Sequence, residues 1–360
     1  MRATKYLALG ISVAILATGC AANEGGNTSN SQSPSANQLS GTLQGVGASS
    51  VKAAQDAWTA RFQTTNPAVT INYSPDGSGA GITAITNGGT NFAASDEALT
   101  GDKIGAGLFQ SCTTDSSVMN LPVYVSPIAI IFNVPGVDEL TLDADTLAGI
   151  FAGTITKWND AAITALNPGA ALPDAAINPV HRSDKSGTTQ NFTETLSQTA
   201  PNVWTHKPSG EWPIQTGEAA KGTSGVVGAV NSGENTIGYA DESQIQGAST
   251  VTFLTKSGDA VKPNAEAANK IVDASPKANT GENDWALKLD RTAAGYPFIL
   301  VSYFIVCEQY ADANTAELVR SYVGYVASAE GQAEAATAAG SAPLSTKLQE
   351  AVAKSVSSIK

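Results

Sequence analysis

Two long apolar runs constrain this chain more than any other feature. The first, Leu121 to Val134, is interrupted by Pro122 and Pro127, which makes it unfit for a helix. The second, Phe298 to Val306, is rich in β-branched and aromatic residues. Both read as strands, and about 160 residues lie between them. The chain therefore crosses from one lobe to another along the first run and returns along the second. The boundaries that follow are 41–125 plus 299–360 for lobe I and 126–298 for lobe II, with a ligand cleft between them.

The segments around the crossings alternate in a way that fits this plan. Leu43 to Gly47, Val69 to Tyr73 and Asn91 to Asp96 read as short strands, the last ending in a carboxylate. A Ser/Gly turn follows each of the first two. Helical spacing comes next: Val51, Ala54, Trp58 and Phe62 after one turn, Ile82 and Ile85 after the other. Ser49 or Ser50 is read as the cap of the first of these helices. Leu147, Ile150 and Phe151 mark a helix closed by Gly153, and Val226, Val227 and Val230 mark another. Thr236 to Tyr239 reads as extended, residues 255–295 as loop-rich, and Thr315 to Ser328 and Ser345 to Ile359 as helices. Repeated strand, turn and helix indicates an open α/β fold, here two doubly wound domains joined by two hinge strands.

The N-terminus is a targeting segment. Arg2 and Lys5 precede an apolar stretch from Tyr6 to Ala17, too short to span a membrane. Leu16-Ala17-Thr18-Gly19-Cys20 then resembles a lipobox, which implies a signal peptide over 1–19 and lipid on Cys20. The alternative is an ordinary secretory signal cleaved near Ala21 or Ala22. Residues 20–40 are polar and rich in Ser, Asn and Gly and read as a flexible tether. The chain is expected at the cell membrane, lipid-anchored on its extracytoplasmic face. Cys112 and Cys307 remain as a pair in an exported chain, so a disulfide is the natural expectation, with two buried thiols as the alternative.

The chemistry converges on Arg182-Ser183-Asp184-Lys185-Ser186-Gly187-Thr188-Thr189. An extended segment enters this turn, and Phe192 and Leu196 beyond it lie four apart, as on a helix. A helix start presents orphaned N–H groups and partial positive charge, which is an anion site when an arginine and hydroxyls stand beside it. The formal net charge is -12 and no basic run occurs, so nucleic acid is excluded as a partner. An acidic chain must hold an anion by local dipoles and hydrogen bonds. Gly47-Ala48-Ser49-Ser50 and Gly77-Ser78-Gly79 supply two further Ser/Gly turns. Asp96 is the discriminating group: a buried carboxylate accepts a hydrogen bond from a protonated oxyanion and repels an unprotonated one. Asp184, two residues after Arg182, is placed to brace the guanidinium.

These motifs occur in an order that resembles the phosphate-binding proteins of bacterial high-affinity phosphate ABC transporters. Gly45-Val46-Gly47-Ala48-Ser49, Gly77-Ser78-Gly79-Ala80-Gly81, Phe92-Ala93-Ala94-Ser95-Asp96 and the Arg182 turn carry the resemblance. Ile155 to Asp160, Leu166 to Gly169 and Thr236 to Tyr239 add to it, so it covers nearly everything from about residue 41 onward. It implies the two-lobed type II periplasmic-binding-protein fold, no catalysis, no cofactor, and ABC permease subunits as partners. The phosphate ligands it implies are Ser49, Ser50, Ser78, Asp96, Arg182, Ser186, Gly187 and Thr188. Ser49 stands where many relatives have Thr. Ser50 stands where many have Phe, which leaves its backbone N–H as the ligand and implies a smaller, wetter cover.

Two other classes are considered. Ser49-Ser50-Val51-Lys52 and Lys185-Ser186-Gly187 fit serine acyl-enzyme motifs of penicillin-binding proteins and β-lactamases, but no Ser-x-Asn lies between them. His181 and His206 are the only histidines and stand apart from any carboxylate cluster, which leaves a metal hydrolase unsupported. A binding protein for sulfate or molybdate is the remaining alternative.

Overall fold

The computed structural model describes residues 39–293 and 295–360. The signal segment, Cys20 and the tether up to residue 38 lie outside the described residues. From there β1 (Gly41–Gly47), α1 (Lys52–Thr65), β2 (Val69–Ser74), α2 (Ser78–Thr86) and β3 (Phe92–Ser95) follow the expected alternation. β1 lies between β2 and β3 and runs parallel to both. The sheet order therefore reverses at β1, and the crevice beyond its C-terminal end is where open α/β sheets bind ligands. α1 buries Ala54, Trp58 and Phe62 on one face, as a three-and-four spacing requires. The Trp58 ring meets Phe304 edge-on at 6.1 Å, and its Nε1 donates to the carbonyl of Gly331. One expectation fails here. Neither Ser49 nor Ser50 caps α1, because Val51 stands at the cap position and no side chain bonds there.

The first apolar run becomes β4 (Val118–Asn133), sixteen residues long. Beyond it come β5 (Thr141–Asp143), α3 (Ala144–Ala152), α4 (Ala161–Leu166), β6 (Asn178–Arg182), α5 (Gly187–Thr199), β7 (Glu218–Ala220), α6 (Gly222–Ser232) and β8 (Thr236–Asp241). The short strands β9 (Ser249–Thr250), β10 (Thr252–Leu254) and β11 (Ala260–Val261) and the helix α7 (Ala265–Ala274) follow. The second run becomes β12 (Ile299–Cys307), and α8 (Ala313–Ala327), α9 (Ala329–Ala339) and α10 (Thr346–Ser357) close the chain. β6 lies between β7 and β8, parallel to both, so a second reversal of order occurs there.

One sheet joins all of this, in the order β2-β1-β3-β12-β4-β8-β6-β7, with β9 beside β4. A smaller sheet holds β11, β10 and β5. β4 is the spine. Residues 118–127 pair with β12, and residues 128–133 pair with β8. The β4–β12 register shifts between Ser302 and Tyr303, which face Tyr124 and Pro122. Val123 is thus an extra residue on β4, next to a proline that has no N–H to donate to the ladder. The disulfide Cys112–Cys307 ties the segment before β4 to the end of β12.

Three helices were not legible. α7 lies in the stretch read as loop-rich, where Asn264 caps it by accepting from the N–H of Ala267 at 2.8 Å. α9 is short and Ala-rich and contains Gly331, whose Cβ would stand 2.2 Å from the carbonyl of Tyr325. α4 is six residues long and shows no periodicity. Among the described residues no helix is long and apolar enough to cross a membrane.

Candidate functional site

The C-terminal ends of β1, β3 and β6 deliver the predicted residues to one place. At the end of β1, Gly47 has φ of 155°, and a Cβ there would stand 1.9 Å from the carbonyl of Ala94. Only glycine allows the turn to press against β3 in this way. Ser49 and Ser50 follow, both buried, and Gln244 Nε2 donates to both of their carbonyls at 2.8 Å. The turn is therefore held from outside rather than by a helix cap.

At the end of β6, Arg182 is buried and faces Asp184. Its Nε donates to Asp184 Oδ1 at 2.7 Å and its Nη2 to Oδ2, the braced geometry expected. The N–H of Gly222 at the start of α6 also donates to Asp184 Oδ1, at 2.9 Å. Burial pushes the Asp184 carboxyl up, but the hydrogen bonds and charge of Arg182 and the Gly222 N–H outweigh it and hold the carboxyl below its usual range. Arg182 Nη1 has no hydrogen-bond partner among the described residues.

Ser186 caps α5, its Oγ accepting from the N–H of Thr189 at 3.2 Å. No protein acceptor among the described residues meets the N–H of Gly187 or Thr188, nor that of Ser50. A helix start with open donors is the arrangement that holds an oxyanion. The helix is fixed in place by an aromatic stack. Phe192 lies 4.2 Å from Tyr239 ring to ring, and Phe151 lies 4.8 Å from Phe192. The Tyr239 hydroxyl then pairs with Thr189 Oγ1 at 2.7 Å and accepts from the Arg182 N–H at 3.3 Å.

Asp96 joins the two groups of elements. Its N–H donates to Ser78 Oγ at 3.1 Å, and its carboxylate accepts from Ser50 Oγ at 2.8 Å, from Thr188 Oγ1 at 3.0 Å and from Ser302 Oγ. α5 comes so close that a Cβ on Gly187 would stand 2.6 Å from both Asp96 Cβ and Ser78 Oγ, so this position admits only glycine. Burial pushes the Asp96 carboxyl above its usual range, while Ser302, Ser50, Thr188 and the charge of Arg182 pull it back down.

The structure thus brings Ser50, Ser78, Asp96, Gly187 and Thr188 into one buried cluster, with Ser186 capping the adjoining helix start and the braced Arg182 on the strand that feeds it. Ser50 takes a part the resemblance did not imply, since its hydroxyl is wholly buried and bonded to Asp96. Ser49 lies beside them, its Oγ paired with Thr223 Oγ1 at 3.0 Å and accepting from the Thr223 N–H at 3.1 Å. Lys52, needed as a base in the acyl-enzyme reading, is half exposed and pairs with Asp56 instead.

Sequence reasoning missed Thr223, Gln244, Asn191 and Ser302. Thr223 carried a usable signal, because Gly222-Thr223-Ser224-Gly225 at the start of α6 repeats the Ser/Gly pattern seen three times elsewhere. Ser302 did too, as the one small hydroxyl residue inside the second apolar run.

Known proteins resemble this chain along most of its length. The model for the PBP superfamily domain matches residues 32–330. The chain is 33% identical to phosphate-binding protein PstS 2 of Mycobacterium tuberculosis, over 99% of this chain and 100% of the relative. It is 33% identical to phosphate-binding protein PstS 3 of Mycobacterium leprae, over 87% of this chain and 89% of the relative. Among solved structures, a phosphate-binding protein from Stenotrophomonas maltophilia superposes with a TM-score of 0.70 at 18% identity, covering 88% of this chain and 94% of that one. At that identity the likeness speaks for the fold alone.

Proposed function

The chain belongs to the PstS phosphate-binding proteins of the PBP superfamily, and from that premise we propose that it captures inorganic phosphate between its two lobes and hands it to an ABC-type phosphate permease. It is a solute-binding protein and not an enzyme. The proposed ligands are the hydroxyls of Ser49, Ser78, Ser186 and Thr188, the N–H groups of Ser50, Gly187 and Thr188, the Arg182 guanidinium, and Asp96 as acceptor of a phosphate proton. Asp184 orients Arg182.

The observation that carries this reading is the meeting of Asp96 with the start of α5. An acidic side chain beside an arginine and open helix N–H groups is an odd choice for a fully ionised anion. It suits an oxyanion that still carries a proton at neutral pH. Phosphate does and sulfate does not.

The lobe boundaries at 125/126 and 298/299 are part of the proposal. The exchange of partners along β4 between Pro127 and Ile128 supports a hinge there. Contacts from both lobes to one ligand would then select the closed arrangement. Attachment of Cys20 to lipid, on the extracytoplasmic face of the cell membrane, completes the reading and keeps the protein near its permease.

Calorimetric titration of the purified protein with phosphate tests it. Saturable one-to-one binding is expected, and Arg182→Ala should weaken it by about a hundredfold or more, since a buried anion loses its full positive partner. Arg182→Ala binding phosphate as tightly as the native protein would overturn the assignment.

A further inference from the structure

Ser302 sits in the middle of a crossing strand, fully buried, with its main chain in the β12 ladder. Its hydroxyl makes one hydrogen bond among the described residues, to Asp96 Oδ1. The register shift on β4 falls beside it, and bulges of this kind re-aim side chains next to functional sites. Ser50 reaches the same carboxylate from the β1 turn, at 2.8 Å from Oδ1 and 2.9 Å from Oδ2. Thr188 approaches Oδ2 from α5. Ser302 thus bonds Oδ1 alone, Ser50 bridges both oxygens, and Oδ2 is the one that meets the start of α5 through Thr188.

We infer that Ser302, helped by Ser50, is a specificity-determining residue: it keeps Asp96 ionised and aims Oδ2 at the ligand, so that the site goes on rejecting unprotonated oxyanions in acid. The inference rests on the phosphate reading above. A protonated Asp96 would donate to any oxyanion and so would discriminate against none. Burial drives Asp96 toward that form, and hydroxyl donors oppose it because they bond the charged form better. The other charged and titratable groups around Asp96 leave this task to the hydroxyls and Arg182. Arg182 on β6 is the cation whose charge pulls the Asp96 carboxyl down. Tyr73 on β2 stays neutral, its hydroxyl pushed well up by burial and by Asp96. Glu97, next in the chain, pairs with Lys103 at 2.7 Å.

The test is the ratio of phosphate to sulfate affinity, measured by competition calorimetry on the purified protein at pH 8 and pH 5.5. Losing one hydrogen bond to a charged group changes its protonation constant roughly ten- to hundredfold. In Ser302→Ala, and independently in Ser50→Ala, the ratio should fall on acidification by about tenfold more than in the native protein. Ser302→Thr, which keeps a hydroxyl, should restore the native profile. Should Ser302→Ala not fold, Ser50→Ala carries the same comparison. A profile for the alanine variants that overlays the native one contradicts the inference. A native protein that binds no phosphate at pH 8 would instead overturn the phosphate reading itself, so the two failures are distinguishable.

Discussion

The side-chain amide of Asn191 donates to the main-chain carbonyl of Asp96 at 2.8 Å, joining α5 directly to the end of β3. The same Nδ2 donates to the carbonyl of Gly187 at 2.9 Å, and Asn191 Oδ1 accepts from the buried guanidinium of Arg291. Arg291 Nη1 in turn donates to the carbonyl of Ile299 at 2.8 Å, at the start of β12. One side chain therefore links the main chain of the proposed ligand Asp96, the helix start proposed to bind the anion and, through Arg291, the returning crossing strand.

Asn191→Ala removes the link between α5 and the end of β3 while leaving in place every group proposed to contact phosphate, because Asn191 Nδ2 donates only to the main-chain carbonyls of Asp96 and Gly187. One buried hydrogen bond is worth about 1 kcal/mol, so phosphate should dissociate roughly fivefold faster. Association should change less, since the bond spans the two proposed lobes and would act on the closed, ligand-bound arrangement. Stopped-flow displacement measures both rates.

Asp184→Asn keeps the shape beside Arg182 and removes its countercharge. Phosphate affinity should fall about tenfold, as the guanidinium loses its orienting partner. Stability responds to pH with a definite sign. The folded-state carboxyl of Asp184 lies below its ordinary value, so its contribution is present above the unfolded value of about 3.9 and is lost as pH falls through the folded one. Urea unfolding should show a native advantage that is constant between pH 7 and pH 5 and narrows only below about pH 4.

Asp241 has the opposite sign. It is fully buried where β8 meets β4, and burial pushes its carboxyl up to about 7. Oδ1 accepts from Tyr124 at 2.9 Å and from the Ser243 N–H at 3.0 Å, whereas Oδ2 has no partner among the described residues. The folded chain holds this proton more tightly than the unfolded one. The contribution is full below about pH 4 and is lost as pH rises through about 7. Asp241→Asn should therefore unfold at higher urea than the native protein at pH 8, by about 1–3 kcal/mol, with the gain shrinking toward pH 4.

What could be read without coordinates follows from how locally each feature is determined. The two crossings, the alternation from β1 to β3 and the turn at Arg182 rest on short-range periodicity and turn chemistry, which a sequence displays directly. The bracing of Arg182 by Asp184 lay two residues away and was legible for the same reason. The pairing of Cys112 with Cys307, left open by the sequence, is settled by the disulfide. Gln244 and Asn191 reach the site through sheet order and helix packing that no local pattern announces, whereas Thr223 and Ser302 carried local signals whose destination only the sheet order fixes. The cap expected of Ser49 or Ser50 failed because both side chains are drawn into longer-range bonds, to Thr223 and to Asp96.

The central claim is that Asp96 beside the start of α5 selects an oxyanion by its proton. Calorimetric titration with phosphate at pH 7.5, repeated in a large excess of sulfate, tests it most directly, with Asp96→Asn as the paired variant. The native isotherm should be displaced by less than about tenfold, while Asp96→Asn should lose most of that preference. Equal affinity of the native protein for phosphate and sulfate, or a preference unchanged in Asp96→Asn, would contradict the account.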